Sequence, residues 1–324
     1  MSRKAKLLMA GCAVVVLAFL PVFASDYAVS ALRDALAFSL LAVALDFLWG
    51  KTGLLSFGHA AFFGAGAYGV GAISVHGGLD PSIAAWVGLA VGLAIAAAVS
   101  LVVGYFLIFG GVRGPYFTIV TLALAVISGH VAVSWGDVTG GDAGLVGVLP
   151  LYFPGAAGAA ALSSEGQYWL MLAVLVAVTS AVWWFCSGRY GQVLQAVQDN
   201  ELRARALGHN TSAQLLGVFV MSAMIAALGG GLYGSAVGFV APDSVGTILS
   251  VQAVVWVAIG GRGTLIGPIL ATVLVLWLEQ KVSSIDTRIW PLFIGGLFIV
   301  CVFVFPDGIL GRVKKLVARK RGAA

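Results

Sequence analysis

The run "AWVGLAVGLAIAAAVSLVVGYFLIF", residues 85–109, contains no charged side chain. The hydrocarbon core of a bilayer is about 30 Å thick, and a helix of roughly 20 apolar residues crosses it. Residues 169–185 form a second uncharged run. The chain of 324 residues is 60% hydrophobic and 10% charged, whereas about a quarter of the residues in a soluble domain are charged. The composition therefore predicts an all-α polytopic membrane protein and excludes a water-soluble globular one.

Apolar segments long enough to be candidate spans recur along the chain, and no polar stretch is long enough for a soluble domain. We therefore expect residues 1–324 to form a single transmembrane domain with about ten helices. Eight or nine full spans with a broken or re-entrant segment remain open. The first segment ends in Val22-Phe23-Ala24, so a cleaved signal peptide is an alternative, although its long apolar run favours a retained helix. The ten segments are 7–24, 28–49, 53–75, 82–110, 115–135, 168–187, 214–237, 247–260, 264–280 and 289–305.

The distribution of basic residues predicts the orientation, because cytoplasmic loops of membrane proteins are rich in Lys and Arg. With a cytoplasmic N-terminus and ten crossings, Arg33, Lys281 and Arg288 fall outside. The remaining 15 of the 18 basic residues then lie inside. Both termini are expected in the cytoplasm, with the loop 188–213 and the basic tail 312–324. The net charge of +5 reflects this bias and gives no reason to expect nucleic-acid binding.

The sequence "QAVQDNELRARALGHN", residues 195–210, concentrates charge within an apolar chain. A charged residue at the centre of a membrane helix costs roughly 2.5–3.5 kcal/mol, so four close together must lie outside the bilayer. Asp199 or Asn200 is suited to cap a short helix, Glu201 would lie in its first turn, and Gly208 would end it. The pattern predicts a short cytoplasmic helix, which is either a docking surface or a solvated connector.

Polar residues inside the spans are candidates for a translocation path. His59 follows Ser56 in "LLSFGHAAFFG", and it either lines a path or serves packing. Thr118 and Thr121 are further path candidates. Clustered glycines are expected to let helices approach closely, with a path-lining role as the alternative; they are Gly64, Gly66, Gly69, Gly71, Gly229, Gly230 and Gly231.

The remaining motifs give no evidence of catalysis or of a bound cofactor. Gly50-Lys51-Thr52 resembles the end of a phosphate-binding loop, but Leu45 occupies the position that requires glycine. The three cysteines lie far apart and have no metal-binding spacing. Asp34 and Asp46 flank the second span, where interfacial solvation explains them better than a proton relay. We expect no catalytic residue, no metal and no cofactor, with any ATP bound by another chain.

Seven motifs in this order and spacing resemble the permease subunits of bacterial branched-chain amino acid ATP-binding-cassette (ABC) importers of the LivM-like type. No single motif is specific, but together they cover most of the chain. They are "GLLSFGHAAFFGAGAY" (53–68), "RGPYFTIVTLALA" (113–125), "TGGDAGL" (139–145), "VQDNELRARALG" (197–208), "GFVAPDS" (238–244), "IGGRGTLIGP" (259–268) and "FPDGILG" (305–311).

The resemblance implies an inner-membrane permease that forms half of a translocation path. It implies three kinds of protein partner: a second related permease, two ABC ATPase subunits that bind the ATP, and a periplasmic substrate-binding protein. In such importers the short cytoplasmic helix rests in a groove of the ATPase. The residues that this implies for ATPase coupling are Asp199, Asn200, Glu201, Arg203, Arg205 and Gly208.

Two positions depart from the family pattern and bear on the substrate and the contacts. Gln198 replaces the usual arginine before Asp199, which reduces the positive charge of the docking segment. Arg262 stands where branched-chain permeases more often have an apolar residue. At this position the chain resembles the related urea permeases more closely. Import of urea or short amides is therefore the first alternative. A second, from another class, is an ion-coupled secondary transporter, which would carry titratable residues in mid-span and need no ATPase.

Overall fold

The computed structural model describes residues 11, 17–21, 25–152, 162–284, 293, 295, 296 and 299, and this part of the chain is mostly helical. The helices are α1 (Asp26–Thr52), α2 (His59–His76), α3 (Pro81–Phe109), α4 (Pro115–Ser134), α5 (Gly136–Thr139), α6 (Ser164–Ser187), α7 (Arg189–Asp199), α8 (Glu201–Ala206), α9 (Thr211–Val237), α10 (Thr247–Gly260) and α11 (Ile266–Ser283). Two short strands, β1 (Leu145–Val146) and β2 (Phe239–Val240), and two 3-10 turns, Gly141–Ala143 and Pro242–Ser244, complete the described elements.

Six of the described helices are long and apolar enough to cross a membrane: α1, α3, α4, α6, α9 and α11. They match six of the ten predicted spans. The predicted span at 247–260 is α10, whose 14 residues reach about 21 Å at 1.5 Å per residue, less than the bilayer core. Helix α2 has four glycines and a histidine at each end, which reduce its apolar character. The predicted spans 7–24 and 289–305 lie largely outside the described residues, so the count of about ten is not confirmed.

Helices α1 and α9 form the centre of the described bundle. Within the most apolar 18 residues of each helix, 67% are buried in α1 and 61% in α9. The corresponding share is 22–33% in α3, α4, α6 and α11. Helix α9 packs against α1, α2 and α3, while α6 and α11 pack against α1. The outer helices turn apolar side chains such as Phe106 and Ile119 away from the bundle. Such a surface suits contact with lipid, as expected for a multi-pass membrane protein.

Most of the clustered glycines lie where helices cross, which confirms the packing prediction for Gly66, Gly69, Gly229, Gly230 and Gly231. A Cβ on Gly66 of α2 would collide with the carbonyl oxygen of Ala227 on α9, and one on Gly230 of α9 would collide with the carbonyl of Phe63 on α2. Backbones this close leave no room for a side chain, as is common at membrane helix interfaces. The two helices therefore form a tightly locked pair.

Strands β1 and β2 pair antiparallel, with Leu145 opposite Val240 and Val146 opposite Phe239. Strand β2 directly follows α9, and β1 follows α4 after α5 and the first 3-10 turn. This pairing brings the motifs "TGGDAGL" and "GFVAPDS" together, at the end of the bundle opposite to α7 and α8. The two ends of the molecule thus differ in chemistry: one carries the small sheet and the other the charged segment 195–210.

Candidate functional site

The charged segment contains the predicted short helix, α8, but a second short helix that was not predicted, α7, ends one residue before it. Asn200, rather than Asp199, is the cap of α8: its side-chain oxygen accepts a hydrogen bond from the Arg203 backbone N–H at 2.9 Å. Gly208 follows the helix with φ of 89°, a left-handed conformation that favours glycine. Asn210 then caps α9 by accepting from the Ala213 N–H at 3.1 Å.

Helices α7 and α8 have one face on the bundle and one face open. Leu194, Val197 and Ala204 are buried, and α7 contacts α1, α6 and α9. The predicted coupling residues Asp199, Asn200, Arg203, Arg205 and Gly208 are exposed, while Glu201 is half-buried. We call residues 199–208 the docking segment.

Two exposed leucines in the docking segment were missed by sequence reasoning. Leu202 and Leu207 keep 77% and 73% of their surface accessible, although they stand among charged residues. Apolar residues within an exposed polar surface are typical of interaction sites. Their signal in the sequence was weak, because leucine is a good helix former and is expected in any helix.

Glu201 joins the docking segment to the rest of the bundle. Its two carboxylate oxygens accept hydrogen bonds from Nε and Nη2 of Arg113, each at 2.9 Å. Arg205 Nη2 also donates to it at 3.0 Å, and the Thr211 hydroxyl does so at 3.2 Å. The hydrogen bond from Arg113, with the charges of Arg113 and Arg205, holds the pKa of Glu201 below its usual range although partial burial opposes this.

Arg113 itself was not predicted as a site residue. It lies in the connection between α3 and α4, at the start of the motif "RGPYFTIVTLALA", and its Nη1 donates to the carbonyls of Ile108 and Val112 at 3.0 Å. One indication of its role was present in the sequence, because Arg113 and Glu201 were both predicted to lie on the cytoplasmic side. Sequence alone could not show the pairing, because 88 residues separate the two.

Three of the four candidate path residues, Ser56, Thr118 and Thr121, meet in and around the segment 55–58. The Thr118 hydroxyl donates to the Leu55 carbonyl at 3.1 Å, and the Thr121 hydroxyl oxygen accepts from the Phe57 N–H at 3.2 Å. Ser56 is buried, and its side-chain oxygen accepts from the Gly58 N–H at 3.1 Å. The first two turns of α4 thus hold the connection between α1 and α2.

His59, the fourth candidate, is fully buried at the start of α2. Its Nε2 lies 3.2 Å from the Ser222 hydroxyl of α9, whereas its Nδ1 has no hydrogen-bond partner. The rings of Phe62 and Phe219 contact the imidazole edge to face, and Phe117 packs on Phe219. The surroundings combine apolar rings with one hydroxyl and one unpaired ring nitrogen.

Asp46 differs from the prediction of a solvated interfacial carboxylate. It is fully buried, and its two oxygens accept the backbone N–H groups of Gly263 and Leu265 at 2.5 and 2.8 Å. Arg262 lies over the Trp49 ring, 5.2 Å from its centroid, and donates to the Trp49 carbonyl at 3.2 Å. These contacts fasten the turn between α10 and α11 to the end of α1.

Asp34 also has a specific partner. Arg33 is buried and pairs with Asp34 at 2.9 Å, and its Nη1 donates to Gln167 of α6 at 3.0 Å. The pair joins α1 to α6. Among the described residues no group of three or more His, Cys, Asp or Glu side chains could hold a metal ion.

Comparison with known proteins gives a consistent family. A family model for the permease component of the branched-chain amino acid transport system matches residues 27–302. The high-affinity branched-chain amino acid transport system permease protein LivM of Escherichia coli (strain K12) is 26% identical over 88% of this chain and 70% of its own length. LivM of Salmonella typhimurium is 25% identical over 99% of this chain and 78% of its own length.

The match extends to a permease with another named cargo. The autoinducer 2 import system permease protein LsrC of Escherichia coli O157:H7 is 28% identical over 66% of this chain and 70% of its own length. No solved structure matches the chain.

Proposed function

The chain belongs to the branched-chain amino acid permease family, and from that premise we propose that it forms half of the path of an ABC importer for amino acids. The family and the similar LivM and LsrC proteins identify it as an importer permease subunit. The finer proposal covers the substrate, the partners and the way in which ATP hydrolysis is coupled to transport.

The observation that carries the proposal is the docking segment. It is built against the bundle through Leu194, Val197 and Ala204, yet presents Leu202 and Leu207 outwards. An unpartnered cytoplasmic loop has no need of exposed leucines held on a capped helix, whereas a helix that fits a groove of a partner has both features. We propose that this partner is an ABC ATPase, that two ATPase subunits serve the complete transporter, and that this chain binds no ATP and has no enzymatic activity.

The substrate is proposed from the LivM resemblance together with the surroundings of His59. An imidazole nitrogen without a partner, beside the Ser222 hydroxyl and several phenylalanine rings, offers one polar contact within an apolar environment. That combination fits a small solute with both a polar and an apolar part, such as a branched-chain amino acid. Import of urea or short amides is the second candidate, and Arg262 favours it. Against it, a solute without an apolar part would make little use of Phe62 and Phe219.

The remaining features of the proposal concern the setting of the chain. We propose a place in the bacterial inner membrane, about ten spans, and cytoplasmic termini, docking segment and tail 312–324. A second related permease would complete the path, and a periplasmic binding protein would deliver the substrate to the end that carries β1 and β2. No bound cofactor or nucleic acid has a role in this scheme.

Reconstitution tests the proposal. The chain is purified with candidate ATPases, a second permease and a binding protein from the same organism and placed in proteoliposomes. Uptake of radiolabelled leucine is then measured, with unlabelled urea and acetamide as competitors. Uptake that requires enclosed ATP and is not reduced by the competitors supports the proposal. Competition by urea or acetamide moves the substrate to the amide alternative. Uptake by the chain alone under a proton or sodium gradient would establish the secondary-transporter alternative instead.

A further inference from the structure

The pair between Arg113 and Glu201 is a rigid connection. Both hydrogen bonds of the guanidinium fork are 2.9 Å long, and about a quarter of each side chain is exposed. A bidentate pair fixes the direction between its partners as well as their distance. Because Arg113 Nη1 also donates to two carbonyls at the end of α3, the fork cannot swing freely.

The connection continues from Arg113 into α4, which begins two residues later at Pro115. The first residues of α4 hold the connection between α1 and α2 through Thr118 with Leu55 and Thr121 with Phe57. A displacement of α4 along its axis would therefore displace residues 55–58 with it.

A second connection starts from the same carboxylate. Glu201 accepts from the Thr211 hydroxyl at 3.2 Å, and Thr211 is the first residue of α9. The same helix carries Ser222, which contacts His59 at 3.2 Å. Both connections from Glu201 therefore reach residues 55–59, one through α4 and one through α9.

We propose that Arg113 is a positioning residue that passes movement of the docking segment to α4, and through α4 to residues 55–59. This inference rests on the proposed function, since it requires an ATPase to move the docking segment. It assigns Arg113 a role in coupling and none in the affinity for the ATPase, because its guanidinium is already bonded to Glu201 and to the carbonyls of Ile108 and Val112.

The test uses Arg113→Gln and Arg113→Lys in the complete transporter, with Lys281→Gln as control. Lysine keeps the charge but loses the fork. Lys281 is an exposed basic residue in the last turn of α11. Each variant is measured for ATPase co-purification, ATP hydrolysis, and substrate taken up per ATP hydrolysed. In a background with the native cysteines replaced, Ser56→Cys reports whether labelling at this position changes with ATP.

We expect both Arg113 variants to retain the ATPases and to hydrolyse ATP, while uptake per ATP falls by about fivefold or more, the lower range of a coupling energy between sites. The ATP-dependent change in Ser56→Cys labelling should be lost in the same variants, and Lys281→Gln should match the parent. Unchanged uptake per ATP, or labelling that still responds to ATP, overturns the inference. Loss of the ATPases themselves also overturns it, because Arg113 would then serve docking. If the parent transporter takes up substrate without an ATPase, the proposed function itself is refuted. This result comes from the parent alone and does not depend on the Arg113 variants.

Discussion

Asp46→Asn should destabilise the protein even though it only removes a charge. In the native protein both carboxylate oxygens are used, one by the Gly263 N–H and the other by the Leu265 N–H. An asparagine offers one oxygen and turns an N–H₂ group towards the second backbone donor. One buried N–H is then left without an acceptor, and two donors face each other.

A buried donor left without an acceptor lowers the free energy of unfolding by about 1–3 kcal/mol, and this sets the size of the expected effect. Asp46→Ala removes both acceptors, so its cost should be about twice that of the asparagine variant. On the scale of soluble domains, about 2–4 °C per kcal/mol, Asp46→Asn should lower the melting temperature by roughly 2–12 °C.

The assay is thermal unfolding of the detergent-solubilised chain, followed by size-exclusion chromatography of the fraction that remains monodisperse. Asp26→Asn is the matched control, because Asp26 lies in the same helix but is exposed; surface substitutions usually stay within about 0.5 kcal/mol. Equal melting temperatures for Asp46→Asn and Asp26→Asn would refute the view that Asp46 fastens the turn between α10 and α11.

Three further outcomes are expected. Gly230→Ala should separate α2 from α9 and reduce the folded yield, because its Cβ meets the Phe63 carbonyl. Gly217→Ala on the same helix should behave like the parent, because the nearest atom there is the Tyr190 hydroxyl at 3.6 Å. Equal yields of the two variants would contradict the close crossing. The pKa of Glu201 is lowered in the folded protein. The contribution of Glu201 to stability is therefore complete above the unfolded carboxyl pKa of about 4.3, and it is lost as the pH falls through the still lower folded value. A melting temperature that depends on Glu201 protonation above about pH 5 would contradict this. Single cysteines at Arg203 and Val146, which are exposed at opposite ends of the bundle, should react with membrane-impermeant maleimide only from the inside and only from the outside, respectively; external labelling at Arg203 would overturn the orientation.

Composition and spacing were sufficient for much of the architecture, because a bilayer permits few solutions. The uncharged run 85–109 became α3, and the polar segment around Glu201 became a capped helix outside the spans. The apolar segment 247–260 was counted as a span because of its composition, yet it forms a helix of only 14 residues, which is too short to reach across the bilayer core.

The contacts within the candidate site depended on pairings between distant parts of the chain. Asp46 was expected in water because it stands near the end of a span, and only the folded chain shows the two N–H groups that it accepts. Arg113 was counted as one more cytoplasmic basic residue, although it is the partner that fixes Glu201. In both cases the residue type indicated a polar environment, while the partner was set by tertiary packing that a single sequence does not encode locally.

Cross-linking from the docking segment tests the central claim most directly. A photoreactive benzophenone attached to Leu202→Cys, in the background without native cysteines, is irradiated in membranes that contain the complete transporter. A second sample carries the probe at Tyr27, which is exposed near the N-terminal end of α1. We predict a cross-linked product with an ATPase from position 202 and none from position 27. A cross-link yield at position 202 no greater than that at position 27 would contradict ATPase docking on residues 199–208.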